Sequence, residues 1–372
     1  MAPCSFSLYR QGPDAPGLIP TRRYGIQRRY LQGKKALNRA RTVTLNSTPD
    51  IFREELVNGS RRALAKAITL VESTNQDHRA QADALLESLP TPAEPSLRLG
   101  LSGTPGVGKS TFIERFGLML CEEGRRLAVL AVDPSSSRSG GSILGDKTRM
   151  EQLSRHPSAF IRPTPSASQL GGVARRTREV ILLVEAAGFD TVIVETVGVG
   201  QSETLVAEMT DIFLLLLAPA GGDELQGVKR GIMEVADMIL VNKADGDLIP
   251  TARRTTADYA GALRLLRHRP QDPEGFPKAA MLSAAEGSGM AEAWAEIVSL
   301  SDWRRQTGVL EETRARQTLS WFVEEIEAAL ALRVRQSRNT AGLRAELEAD
   351  LLAGRTTPRA AAAALLDSLF AP

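Results

Sequence analysis

Cysteine is almost missing from this chain: Cys4 and Cys121 are the only two in 372 residues. That excludes a disulfide framework or a cysteine metal cluster and points to a reducing compartment. Histidine is equally sparse, with three scattered residues that make no metal-ligand spacing. No run is long and apolar enough for a membrane span. The longest, Ile212 to Ala220, contains Pro219 and falls far short of the roughly 18 residues required, so it reads as a buried strand. No fixed-period repeat is visible. Positive charge is also lacking where it would matter. The formal net charge of +2 conceals nine Lys or Arg against the single acid Asp14 in residues 1–49, a local +8, which leaves the remainder near −6. A body of that sign argues against nucleic-acid binding, since phosphate neutralisation needs a basic face. What is present, 42% hydrophobic and 24% charged residues, suits one large globular domain with helical additions.

The basic segment 1–49 has three readings: an organelle transit peptide, text from upstream of the true start, or an arm for an anionic partner. Its Pro, Gly and Arg content without apolar periodicity is that of a disordered segment. A cytoplasmic location is expected, or the mitochondrial matrix if the leader is a transit peptide.

From Asp50 to Leu89 the pattern is helical, with Leu64, Ile68 and Val71 at spacings of four and three. These helices, over residues 50–90, are expected to pack on the core. Pro90 to Ser96 reads as a linker. Apolar strand candidates then alternate with helix-length stretches: Leu97 to Leu101, Leu127 to Val132, Phe189 to Val194, Ile212 to Leu217, Met238 to Val241 and Ala279 to Leu282. That alternation predicts an α/β fold of the P-loop NTPase kind, a mostly parallel sheet flanked by helices, over residues 97–300. Residues 301–372, including Thr313 to Arg335 and Pro358 to Phe370, read as a C-terminal helical arm. It either covers the sheet edge or serves self-association.

GTPGVGKS, Gly103 to Ser110, lies between a strand and a helix and matches the phosphate-binding loop. Gly103, Gly106 and Gly108 let the backbone curl so that N–H groups converge on phosphate oxygens, and Val107 and Thr111 complete the cradle. The helix beginning near Lys109 adds its positive dipole end. Lys109 would reach the β- and γ-phosphates, and the Ser110 hydroxyl would bind Mg²⁺. NKAD, Asn242 to Asp245, follows another strand and selects the base. Guanine offers two adjacent donors that the Asp245 carboxylate accepts together, and adenine has no such pair. Asn242 would brace the loop, Lys243 would lie along the ring, and backbone N–H groups at Ser283 and Ala284 would reach the guanine carbonyl oxygen. GTP and GDP with Mg²⁺ are therefore the expected ligands.

ETVGVGQ, Glu195 to Gln201, sits at a strand tip where many GTPases hold the Mg²⁺ shell with an aspartate while the Gly198 N–H senses the γ-phosphate. Glu195 is one methylene longer and is expected to act through a water in that shell. Val199 takes the place of the glutamine that orients the attacking water in Ras-like enzymes, so unaided hydrolysis is expected to be slow. DPSSSRSGGSILGDKTRM, Asp133 to Met150, reads as a polar switch loop. Asp133 is the stronger candidate for the metal because strand ends face this cleft. Asp146 is either a metal contact or a helix N-cap. GGDELQGVKRG, Gly221 to Gly231, is by its residues a solvated helix start.

Together these motifs resemble the methylmalonyl-CoA mutase-associated GTPase family of MeaB- and ArgK-like proteins, from about Phe52 to the C-terminus. The resemblance implies a GTPase that binds an adenosylcobalamin-dependent acyl-CoA mutase, gates delivery of its cofactor and protects it. It implies a homodimer joined through C-terminal helices. It also implies that Asp133, Asp146 and Glu195 surround Mg²⁺, and that Gly221 to Lys229 is a third switch whose Lys229 transmits the partner's acceleration of hydrolysis. Older descriptions of the same family propose an arginine or ornithine transport kinase. NKAD argues against that alternative, and no acceptor site for a kinase is apparent.

Overall fold

The structure, a computed structural model, describes residues 49–92, 94–132, 150–164, 170–196, 202–219, 230–265, 269, 272–337 and 341–370, all within one compact unit. Three helices open it: α1 (Pro49–Val57), α2 (Arg61–Val71) and α3 (Gln76–Ser88). Short polar side chains start the second and third. Ser60 accepts a hydrogen bond from the Ala63 N–H and Asn75 one from the Asp77 N–H, satisfying amides with no intrahelical partner.

The alternation then runs β1 (Leu97–Gly103), α4 (Lys109–Glu122), β2 (Leu127–Val132), α5 (Glu151–Arg155), β3 (Ala159–Thr164), α6 (Leu170–Ala186), β4 (Thr191–Thr196), α7 (Ser202–Ala207), β5 (Ile212–Leu217), α8 (Arg230–Val235), β6 (Met238–Val241), α9 (Ile249–Leu265) and β7 (Lys278–Met281). The seven strands form one sheet in the order β3-β2-β4-β1-β5-β6-β7, and every pairing is parallel. Parallel strands buried on both faces explain why β2, β5 and β6 are unbroken apolar runs. β1 sits at the reversal of strand order, between β4 and β5, where loops at the carboxyl ends diverge into a crevice.

The expected parallel α/β architecture is therefore present, with one strand more than expected. β3 was not anticipated because Arg162 and Pro163 interrupt its apolar pattern. It lies at the edge, paired only with β2, where a proline costs no ladder bond. The N-terminal helices pack beside it as expected: Arg61 donates to the carbonyl of Ala159 at 2.6 Å, Arg162 pairs with Glu72 of the α2 C-cap, and Arg79 pairs with Glu179 of α6 at 2.8 Å.

After β7 the chain is helical among the described residues: α10 (Met290–Gln306), α11 (Val309–Gln336), α12 (Ala341–Leu352) and α13 (Pro358–Phe370). Residues 300 and 301 lie inside α10, whose Trp294, Ile297 and Leu300 are in the core. Its buried Arg304 bonds Asp237 at 2.7 Å, Asp272 at 2.5 Å and the Asp211 carbonyl at 2.6 Å. Burial alone would lower the proton affinity of this guanidinium, but Asp237 and Asp272 outweigh it and raise the pKa. Arg314 continues the fastening, pairing with Asp211 at 2.7 Å. Beyond it α11 stays in contact with the body, where Gln317 donates to the Thr210 carbonyl at 2.9 Å and Glu324 pairs with Arg178 of α6 at 2.7 Å.

Candidate functional site

The loop between β1 and α4 is built by backbone that side chains would obstruct. Gly103 runs so close to β5 that a Cβ there would stand 2.3 Å from the Leu216 carbonyl oxygen. Gly108, the N-cap of α4, has φ 99°, and a Cβ on it would meet Asn242 Nδ2 at 2.6 Å. Both conditions select glycine. Thr104, Pro105 and Gly106 are exposed and Val107 is buried, so the loop is pinned by one residue while its rim faces outward. Lys109 Nζ donates to the Gly103 carbonyl at 2.7 Å. Ser110 and Thr111 follow on the first turn of α4, Ser110 half-buried and Thr111 exposed.

Asn242, directly after β6, is buried with 2% exposure. Its Nδ2 donates to the Val107 carbonyl at 2.9 Å and its Oδ1 accepts from the Ala284 N–H at 2.8 Å. One side chain thus ties the phosphate-loop candidate to the segment expected to face the purine. Lys243 is exposed and has φ 59°, the sole positive φ outside glycine among the described residues, a conformation that turns the chain sharply at a strand end. The Ala244 N–H bonds the Leu282 carbonyl at 3.0 Å, which closes the loop against the end of β7. Ser283 donates through its hydroxyl to Asp245 Oδ2 and accepts from the Glu286 N–H at 3.1 Å. The sequence had assigned Ser283 a backbone role only. Its hydroxyl's hold on Asp245, and the contact from Arg115 of α4 to the Ala285 carbonyl at 3.3 Å, were missed because nothing local distinguishes them.

Glu195 lies at the carboxyl end of β4, 4% exposed, in register with Leu101 of β1 and Ala131 of β2. Its neighbour Thr196 donates to the Ser102 hydroxyl oxygen at 2.9 Å. Glu195 therefore lies at the same end of the sheet as the loop that leads from β1 to Ser110 on α4. Among the described residues no three His, Cys, Asp or Glu side chains converge. Mg²⁺ takes oxygen donors and commonly completes its shell with phosphates and water. A hydroxyl and a carboxylate are the hard donors it prefers, so these residues fit the ion. Asp133, Asp146 and Gly198 lie outside the described residues, as does the whole of Gly221 to Lys229 before α8.

The structure thus gathers Gly103 to Thr111, Glu195, Asn242, Lys243, Asp245, Ser283 and Ala284 at the carboxyl ends of β1, β4, β6 and β7. A separate cavity of about 220 Å³, lined by Glu94, Leu97, Asp190 and Trp294 among others, lies where β1 and β4 begin and contains none of them.

The family described as "Methylmalonyl Co-A mutase-associated GTPase MeaB" matches residues 64–339. The mitochondrial methylmalonic aciduria type A homolog of Mus musculus is 52% identical over 277 residues, covering 72% of this chain and 66% of its own. The GTPase ArgK of Escherichia coli is 49% identical over 269 residues, 72% of this chain and 81% of its own. A crystal structure titled as a LAO/AO transport system kinase superposes with TM-score 0.67 at 36% identity, covering 87% of this chain and 98% of that one.

Proposed function

The chain belongs to the methylmalonyl-CoA mutase-associated GTPase family, and from that premise we propose that it gates and protects an adenosylcobalamin-dependent acyl-CoA mutase. It is a P-loop GTPase. The finer assignments that follow are proposals. Lys109 and the amides of Gly106 to Ser110 hold the β- and γ-phosphates, Asp245 accepts the two adjacent guanine donors, and the Ala284 region faces the guanine carbonyl oxygen. Ser110 and Glu195, with Asp133 and Asp146, would hold Mg²⁺, which when bound neutralises charge developing on the phosphates. Gly198 senses the γ-phosphate, and Lys229 is the residue through which the partner accelerates hydrolysis.

The observation that carries this reading is the Asn242 bridge, which ties the loop at Val107 to the segment at Ala284. The Ser283 hydroxyl holds the Asp245 carboxylate beside it. Titration with labelled GTP and ATP tests it, and ATP binding as tightly as GTP would remove the guanine assignment. Phosphate release measured with and without a cobalamin-dependent mutase tests the partner. Acceleration that is lost in Lys229→Ala at unchanged GTP affinity is the expected result, because the role assigned is in the transition state.

Self-association belongs to the same proposal. On α11, Leu319, Phe322, Val323 and Ile326 recur at helical spacing with exposures of 67%, 62%, 53% and 42%. Such an apolar stripe on a long helix calls for a covering surface. We take it as the seam of a homodimer, with residues 301–372 as the arm. No helix among the described residues is long and apolar enough to cross a membrane.

The name of the solved relative, a transport-system kinase, supplies a second reading. Radiolabel from the γ-phosphate appearing on a protein or an amino acid, instead of as free phosphate, would favour it.

A further inference from the structure

The cavity of about 220 Å³ where β1 and β4 begin has no part in the nucleotide reading. Leu97, in its lining, opens β1, and the phosphate loop starts where β1 ends at Gly103, a strand length of ~20 Å away. An apolar cavity of ~150 Å³ holds a benzene ring, so this one has room for a molecule of about ten heavy atoms.

One wall is apolar and already fixed. Trp294 of α10 donates through Nε1 to Glu123 Oε2 at 3.1 Å, meets Phe116 edge-on at 5.7 Å between centroids, and has the Arg125 guanidinium over its ring at 4.9 Å. Val298 lies one turn further along α10 and also lines the cavity. A wall held in place in advance spares a ligand the cost of ordering it.

The other lining groups are polar, and the protein does not use them itself. Ser301 is 8% exposed, yet its hydroxyl has no hydrogen-bond partner among the described residues, whereas nearly all buried polar groups are paired. Asp302 and Arg305 stand three apart on α10, a spacing at which opposite charges can meet. Among the described residues neither side chain has an ion-pair partner. Arg304, the neighbour that faces the core, is by contrast fully engaged by Asp237 and Asp272. The complement of this set is a molecule with a positive and a negative group on neighbouring atoms and a hydrocarbon body.

We propose that the cavity binds a small zwitterion of this kind, an α-amino acid with an apolar side chain. Arg305 takes its carboxylate and Asp302 its ammonium, the Ser301 hydroxyl bonds one of the two, and the side chain lies against Trp294 and Val298. A simple anion would leave Asp302 opposed to it, and a simple cation would do the same to Arg305. Because the cavity is a strand length from the phosphate loop, amino acid and nucleotide bind together without competing.

Isothermal titration calorimetry on the full chain, with L-leucine, L-isoleucine and L-phenylalanine as probes, tests this. At least one is expected to bind, one molecule per chain, at the same affinity with and without saturating GDP. The corresponding amine without the carboxylate, and the acid without the ammonium, are each expected to bind at least about tenfold more weakly, the factor a lost charge-assisted hydrogen bond carries. Arg305→Gln and Asp302→Asn change exposed positions and should weaken the amino acid by a similar factor while GDP affinity stays the same. Val298→Trp should abolish amino-acid binding by filling the cavity, and the two surface variants carry the test if it does not fold. Equal binding of the amine or of the acid alone would overturn the proposal, as would affinity that survives both Arg305→Gln and Asp302→Asn. A protein that takes up GDP but none of the three amino acids would also overturn it and would leave the GTPase reading standing.

Discussion

Replacing Asn242 by alanine removes two hydrogen bonds at once and leaves the Val107 carbonyl and the Ala284 N–H, both next to a buried side chain, without their partner. An orphaned buried group of this kind costs about 1–3 kcal/mol, so the pair should cost about 2–6 kcal/mol in the protein without nucleotide. At the ~2–4 °C per kcal/mol typical of domains of ~150–250 residues, melting should fall by about 4–24 °C. Asn242→Asp should be nearly as damaging, because it keeps the acceptor for Ala284 but turns an acceptor toward the Val107 carbonyl in place of a donor. Gly108→Ala attacks the same bond, since its new Cβ would stand 2.6 Å from Nδ2. The two changes should therefore be less than additive in a double mutant. GDP affinity should fall as well, because binding would then have to restore the two loops to their joint geometry. Thermal melts without nucleotide, paired with titration of a fluorescent GDP analogue, measure both effects. An unchanged melt in the nucleotide-free protein would refute the bracing argument even if GDP affinity fell, because Asn242 would then act only by touching the nucleotide.

Lys109→Ala should abolish nucleotide binding by removing phosphate charge compensation, and near-normal GTP affinity in a filter or fluorescence assay would contradict that role. Arg304→Ala leaves the Asp237 and Asp272 carboxylates buried; with Arg269 still 2.9 Å from Asp237, the loss should sit near the lower end of the ~3–5 kcal/mol expected for a broken buried pair. Denaturant unfolding would show it as a lower midpoint at constant slope. Burial pushes the Glu72 carboxyl above its ordinary pKa, against the pull of Arg162. A raised carboxyl contributes stability that is present at low pH and lost as pH rises through the folded-state value. The stability of Glu72→Gln relative to the native chain should therefore improve as pH climbs from about 4 to 7, and a flat or falling difference in denaturation free energy would show the burial argument to be wrong.

How far the sequence reaches is clearest at particular residues. The phosphate loop was legible because its requirements are local: glycines where backbone crowds a neighbour, a lysine at the helix start, and a strand before it. NKAD was legible for the same reason, since a strand end, a turn residue and an acid lie within four positions. Alternating apolar strands and helical stretches were enough to fix a parallel α/β sheet, because strands buried on both faces leave an unmistakable run such as Ile212–Leu217. β3 escaped, since an edge strand needs only one satisfied side and tolerates Arg162 and Pro163.

Tertiary structure alone decided which motifs meet. Asn242 reaches Val107 across 135 residues and Ala284 across 42, Ser283 reaches Asp245 across 38, and Glu114 reaches Gln152 across 38. None of these separations obeys a helical or strand period, so none leaves a pattern to read. They exist because the order β4-β1-β5-β6-β7 brings the ends of distant strands side by side. A one-dimensional text states which backbone shapes and charges are available, and only the packing of the sheet determines which of them come within hydrogen-bonding distance.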